Sequence, residues 1–224
     1  MVRPRSHCPV CGTRIADRDN VPVLSWLLLR GRCRTCDEPI SVRYPMVELA
    51  TGALFVTAAL RFGADWVLPA YLLFFAALLA VSLIDLELHI VPNRIVYPTL
   101  FGAVPLLGIA ALIDGDWRSL GTALLGAVVA GAGLLVIHLV SPRGMGFGDV
   151  RLAVLLGLFL GWINVAHVAL GLFLGFFVGA VGGVVLIALR MKKRRDHVPF
   201  APFLSLGALI AVLAGNPILD WYIR

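Results

Sequence analysis

The sequence predicts an all-α, polytopic membrane protein, with about seven transmembrane helices behind a small soluble domain. Three observations carry that prediction. The 224 residues are 60% hydrophobic and only 14% charged, whereas a soluble domain carries roughly 25% charged residues. Apolar runs reach the roughly 17–25 residues that span a hydrocarbon core. Two of them, "SLGTALLGAVVAGAGLLVIHLV" (119–140) and "NVAHVALGLFLGFFVGAVGGVVLIAL" (164–189), contain no Asp, Glu, Lys or Arg. Residues 1–45, in contrast, hold all four cysteines and eight arginines and no long apolar run.

Taken in order, residues 1–45 read as the soluble domain and residues 46–224 as the membrane part. Seven spans are expected, over 46–63, 66–85, 95–113, 119–140, 149–162, 164–189 and 200–219. The fifth is short and is expected to tilt or to thin the bilayer locally. Glycines concentrate inside the spans, where small residues let helices approach closely; Gly175, Gly179, Gly182 and Gly183 are read this way. His138 and His167 fall within spans and are expected to make local hydrogen bonds. The start, "MVRPRSHCPV", lacks the apolar region of a cleavable signal, so the first span is expected to act as its own insertion signal unless more chain precedes it.

Charge sets the orientation. With residues 1–45 inside and each span changing the side, the inside segments hold 16 of the 19 Lys and Arg and the outside segments hold 3. The positive-inside rule favours this arrangement over its inverse and makes the N-terminal domain cytoplasmic. The run "RMKKRR" (190–195) then reads as an anchor beside anionic lipid. The net charge of +6 does not indicate nucleic acid, because no aromatic residues are interleaved with the basic ones.

The same topology puts three carboxylates at the cytoplasmic rim: Glu48 at the start of span one, Asp85 at the end of span two and Asp149 at the start of span five. A carboxylate at membrane depth needs a protein interior or a watery cavity around it and is a functional candidate by default. Asp85 precedes the helix-breaking Pro92 and Asn93, and Asp149 follows Gly144, Gly146 and Gly148. Glycine permits positive φ and close backbone approach, which suits a site where an extended peptide must lie. Two facing aspartates can share one proton and hydrolyse a peptide without a metal. Each alone has a simpler reading: a helix cap for Asp149, a pair with Arg94 for Asp85. Glu48 is a candidate for substrate contact or tuning, with Gly146 and Gly148 as supports. No GxSxG, HExxH or Walker loop is present, so serine hydrolase, zincin and ATP-driven chemistry have no residues to run them. Two other classes stay open, a transporter or ion pathway with paired carboxylates and a non-enzymatic membrane scaffold.

The cysteines form two CxxC pairs, Cys8–Cys11 and Cys33–Cys36, separated by 21 residues. Four thiolates in two knuckles suit tetrahedral zinc, and Gly12 after the first pair is tight-turn chemistry. Four protein ligands close the coordination shell, which predicts a structural rather than a catalytic ion. A thin 45-residue domain is expected to need it to fold.

"GFGD" (146–149), "DLELHIVPNRIVYP" (85–98), "DNVPVLSWLLLRGRCRTCDEPISVRYPMVELATG" (19–52) and "VPFAPFLSLGALIA" (198–211) resemble the bacterial type IV prepilin peptidases, GxGD-type membrane aspartic proteases. The similarity runs over nearly the whole chain. It implies a multi-pass inner-membrane enzyme that cuts the basic leader from prepilins and pseudopilins at the cytoplasmic face. It implies Asp85 and Asp149 as the catalytic pair and Cys8, Cys11, Cys33 and Cys36 as zinc ligands. It also implies methylation of the new N-terminus by S-adenosylmethionine. The family usually carries one more span ahead of a segment like "VRPRSHCP"; this sequence starts inside that segment, which leaves open a misassigned start, a truncation or a shortened variant. Arg151 stands where lysine is common after GxGDV, keeping the charge.

Overall fold

The computed structural model describes residues 6–142, 145–188 and 199–223. These residues are helical or in turns, with two isolated β-bridges and no strand among them. The chain divides into two compact units, Met1–Val56 and Thr57–Arg224. The division falls after the expected start of the first span, inside its helix.

The N-terminal unit is built from turns. Its cysteine pairs lie in two similar knuckles, each closed by an antiparallel bridge, His7 with Arg14 and Arg32 with Pro39. In the first, Cys8 donates its N–H to Thr13 and accepts from Gly12; in the second, Cys33 does the same with Glu38 and Asp37. The turn needs a left-handed residue after the second cysteine. Gly12 provides it at φ 67°, and Asp37 provides it at φ 54°. Aspartate is among the few side chains that tolerate this region, so the second knuckle forms without the glycine that marks the first. A short 3-10 turn, Asp17–Asn20, and helix α1, Leu24–Leu28, fill the stretch between them. The Trp26 indole N–H donates to the Ile40 carbonyl, and Arg34 forks onto Asp19 through two bonds of 2.7 and 2.8 Å.

Among the described residues seven longer helices follow: α2 (Arg43–Phe62), α3 (Leu68–Leu88), α4 (Asn93–Asp114), α5 (Trp117–Val140), α6 (Phe147–Ile163), α7 (Val165–Ala188) and α8 (Ala201–Ile223). Six are long and apolar enough to cross a membrane; α6, at 17 residues, is the exception. Its burial explains how a short helix belongs in such a bundle. Every residue from Leu155 to Trp162 is buried, and a helix that is apolar all round belongs inside others. Helix α6 packs most closely on α5 and also meets α4, α7 and α8. The α5–α6 seam is glycine against glycine: a Cβ on Gly157 would strike the Gly126 carbonyl and come within 2.7 Å of Ala130 Cβ. Helices α7 and α8 close up the same way, through Gly171 and Gly175 against Gly207. Of the α7 glycines singled out above, Gly175, Gly179 and Gly182 face neighbouring atoms, while Gly183 faces open space. Gly183 is therefore not a packing glycine.

Aromatic packing ties α3 to α6. Phe74 stacks on Phe159 with ring centroids 4.1 Å apart, and the buried Tyr71 hydroxyl donates to the Phe159 carbonyl at 2.8 Å. The bond satisfies a hydroxyl that would otherwise be costly to bury. Large apolar side chains on the outer faces, among them Leu60, Phe101, Leu112 and Val128, are exposed, as expected of a surface that meets lipid rather than water. His138 makes the expected local bond, to the Met145 carbonyl at 2.8 Å. His167 is buried against Gly215, with the Asn216 side chain beside it. The basic run 190–195 lies outside the described residues.

Candidate active site and cysteine cluster

The helix ends position the carboxylates. Helix α3 runs one turn further than its expected end, so Asp85 sits within the last turn rather than at the terminus. His89 then stops the helix in the left-handed region at φ 55° and donates its N–H to the Asp85 carbonyl. Pro92 caps α4, which begins at Asn93. On the other side, Gly146 is the N-cap of α6 and Asp149 is the third residue of its first turn. Asp149 is therefore not itself the cap. A carboxylate in a first turn is favoured by the helix dipole.

Both side chains are buried within the bundle, Asp85 at 4% and Asp149 at 8% exposure. Asp85 Oδ2 accepts the N–H of Ala201, the first residue of α8, at 3.1 Å. The positive end of a third helix thus stabilises that carboxylate. Asp85 and Arg94 form no ion pair among the described residues. Asp149 lies within reach of the Asp85 charge. Gly146 and Gly148 serve the site by what they lack. A Cβ on Gly148 would be 2.8 Å from Val91 Cβ, so the connection that follows Asp85 rests directly on the turn that carries Asp149. Gly146, at φ −71°, needs no left-handed backbone; a Cβ there would face Asp149 Oδ2 at 3.6 Å. Close approach, not positive φ, is the reason for Gly148, whereas a side chain at Gly146 would meet only an ordinary contact. Gly144 lies outside the described residues. Glu48 belongs to the N-terminal unit, where its Oε2 accepts the Val23 N–H at 2.6 Å.

The four cysteine sulfurs all lie within 4.8 Å of one another. Cys8 and Cys36 sulfurs are 3.9 Å apart, against about 3.8 Å for a tetrahedron with Zn–S near 2.3 Å. Hydrogen bonds with Thr13 bring the Cys11 thiol down to about 6, and the Thr35 and Cys36 backbone N–H groups lower that of Cys33. At Cys36 the Glu38 backbone favours the thiolate, but burial and the three neighbouring sulfurs outweigh it and push the thiol up to about 12. Four negative sulfurs at this spacing repel, so full deprotonation calls for a cation between them. The unit also forms a partly open cavity of about 620 Å³ bordered by Trp26, Tyr44 and Glu48.

Sequence reasoning missed three features: the Ala201 N–H on Asp85, the seat of Val91 on Gly148, and a hydrogen bond from Arg151 to Asn93. The proline after Ala201 was the available signal for the first, since proline favours a helix start.

A bundle of apolar helices that buries two aspartates, joined to a four-cysteine unit, defines a polytopic membrane protein with an aspartate site and a metal-binding domain. Comparison with known proteins makes this specific. A family model described as the bacterial peptidase A24 N-terminal domain matches residues 1–62, and one described as the type IV leader peptidase family matches residues 72–187. A protein of Aeromonas hydrophila named prepilin leader peptidase/N-methyltransferase is 40% identical over 228 residues, covering 98% of this chain and 75% of its own length. Proteins of the same name from Pseudomonas aeruginosa and Bacillus subtilis are 37% and 33% identical; this chain matches them along 100% of its length and covers 76% and 87% of theirs. No solved structure matches. The chain belongs to the type IV leader peptidase family.

Proposed function

We propose that this chain removes the leader peptide of type IV prepilins and pseudopilins at the cytoplasmic face of the inner membrane, with Asp85 and Asp149 as the pair that activates water. The observation that carries this reading is the burial of both carboxylates at helix ends of one bundle that Val91 and Gly148 bring into contact. Like charges that close cannot both ionise freely, so one proton is shared and the pair titrates as a unit. The ionised oxygen takes a proton from water as the water oxygen attacks the scissile carbonyl carbon. The protonated carboxyl donates to the carbonyl oxygen as negative charge develops there. The C–N bond then breaks, and the departing nitrogen takes the proton that the carboxylate removed from water. Gly148 leaves room for Val91 beside the pair, Gly146 supports the turn that carries Asp149, and Glu48 is assigned to substrate contact rather than to the pair.

The domain reading is that residues 1–45 form a cytoplasmic zinc domain and residues 46–224 the membrane peptidase; the bias of Lys and Arg toward the inside segments supports this orientation. Cys8, Cys11, Cys33 and Cys36 would hold the zinc ion, and their spacing fits a tetrahedral ion. With four protein ligands the zinc is structural. Methylation of the new N-terminus would use S-adenosylmethionine, which supplies an activated methyl group. The cavity beside Trp26 and Glu48, at about 620 Å³, has the size of small-molecule sites, roughly 300–1,000 Å³.

The test is leader removal by purified protein in detergent. Asp85→Asn and Asp149→Asn are each expected to abolish cleavage while metal content and helicity stay at wild-type values. Normal processing by both variants would end the reading.

A further inference from the structure

One charged side chain beside the aspartates has no role in the mechanism above. Arg151 lies two residues past Asp149 on α6, and its guanidinium donates to Asn93 Oδ1 at the start of α4. The same guanidinium lies over the Phe147 ring, 4.7 Å from the centroid. Phe147 is in turn met edge-on by His138 of α5, with ring centroids 5.6 Å apart. His138 bonds the Met145 carbonyl in the turn that leads into α6. A chain of contacts therefore runs from α5 through the first turn of α6 to the start of α4. It ends next to Val91, whose side chain already rests on Gly148.

The state of the guanidinium shows that this position is held rather than merely allowed. Its Nε is buried without a hydrogen-bond partner among the described residues. A buried unsatisfied donor is destabilising, and a flexible arginine on a helix end could relieve it by turning toward water. Asn93 and the Phe147 ring instead keep it in place.

We infer that Arg151 and Asn93 form a brace that sets the distance between the two aspartates. The aspartates sit on separate helices, Asp85 one turn before the α3–α4 connection and Asp149 in the first turn of α6. The brace fastens the far side of that connection to the turn that carries Asp149. Arg151 is on this view a positioning residue that touches neither water nor peptide. The inference rests on the reading of Asp85 and Asp149 as the working pair.

Positioning and substrate binding separate in kinetics. A misplaced pair lowers kcat with little change in KM, because only stabilisation of the transition state is lost and ground-state binding is kept. For Arg151→Met, kcat is expected to fall roughly ten- to a hundredfold, the scale of an ångström-size misplacement, with KM within about twofold. Asn93→Ala is expected to produce a similar fall, and the double variant little more, because both substitutions remove one contact. Arg151→Lys keeps a donor and a cation over Phe147 and should recover most of the loss. If Arg151→Met fails to fold, the comparison of Asn93→Ala with Arg151→Lys decides. A rise in KM at unchanged kcat, additive losses in the double variant, or wild-type rates in Asn93→Ala would each overturn the brace. Inactive Asp85→Asn and Asp149→Asn beside normal Asn93 and Arg151 variants would remove the brace alone. Active aspartate variants would remove the peptidase reading with it.

Discussion

The two units solve opposite problems with opposite means. In the N-terminal unit few side chains are buried, and the fold is a set of turns held by bridges, one arginine fork and four converging sulfurs. In the membrane bundle almost everything on α6 is buried, and glycine lets backbones touch. The first unit has too little core to order itself without help, as is usual for domains of this size. The second has apolar surface to spare, and its difficulty is to place two carboxylates in an apolar interior. The contrast teaches where each kind of chemistry can be built. A metal site needs a few local turns, while a buried acid pair needs helices that meet from distant parts of the chain.

The sharpest way to break this comparison is to remove the metal. Chelation, or Cys33→Ser, is expected to unfold the N-terminal unit, because structural zinc contributes on the order of 10–16 kcal/mol of binding energy to such folds. Hydrogen exchange should show protection lost across the two knuckles and kept at Leu155 to Trp162. Loss of protection in both units together would mean that they do not differ in the way described.

A smaller effect is expected at the α5–α6 seam. Gly157→Ala sets a methyl group against the Gly126 carbonyl and Ala130, and overpacking of this kind costs about 1–3 kcal/mol. The thermal midpoint of the bundle should drop while metal content is unchanged. An unaltered midpoint would show that the helices can separate freely there.

The smallest effect belongs to the Arg34–Asp19 pair. The Arg34 hydrogen bonds hold the Asp19 carboxyl below its usual range. A group lowered in the folded state contributes stability above its unfolded value and loses it as pH falls through the folded value. Asp19→Asn should therefore flatten the acid side of the stability curve of the N-terminal unit, and only slightly, since the Arg34 partner is 53% exposed. Melting followed across the carboxylate range, with wild type and variant side by side, measures the difference. An acid limb of equal slope in both would show that the pair contributes nothing.

Much of this was legible before any coordinates. The spans were found to within a few residues, because lipid imposes length and polarity on each helix separately. The cysteine cluster was legible for a similar reason, since each knuckle is a local turn and only their convergence is tertiary. The second knuckle still hid its turn residue, because Asp37 does the work that Gly12 advertises. At the aspartates, helix ends were misjudged by about a turn on α3, where apolar Leu86 and Leu88 carry the helix past the residue that looked terminal.

The sequence by itself determined the membrane class, the approximate number and limits of the helices, the two cysteine knuckles and the identity of the acidic candidates. Each of these is written in neighbouring residues and in their contrast with water or lipid. Only the tertiary structure decided that α6 is innermost, that Ala201 offers its N–H to Asp85, that Val91 rests on Gly148 and that Arg151 reaches Asn93. Those contacts join residues from 57 to 116 positions apart in the chain. No local pattern records such a meeting, because which helix faces which is settled by the packing of the whole bundle at once.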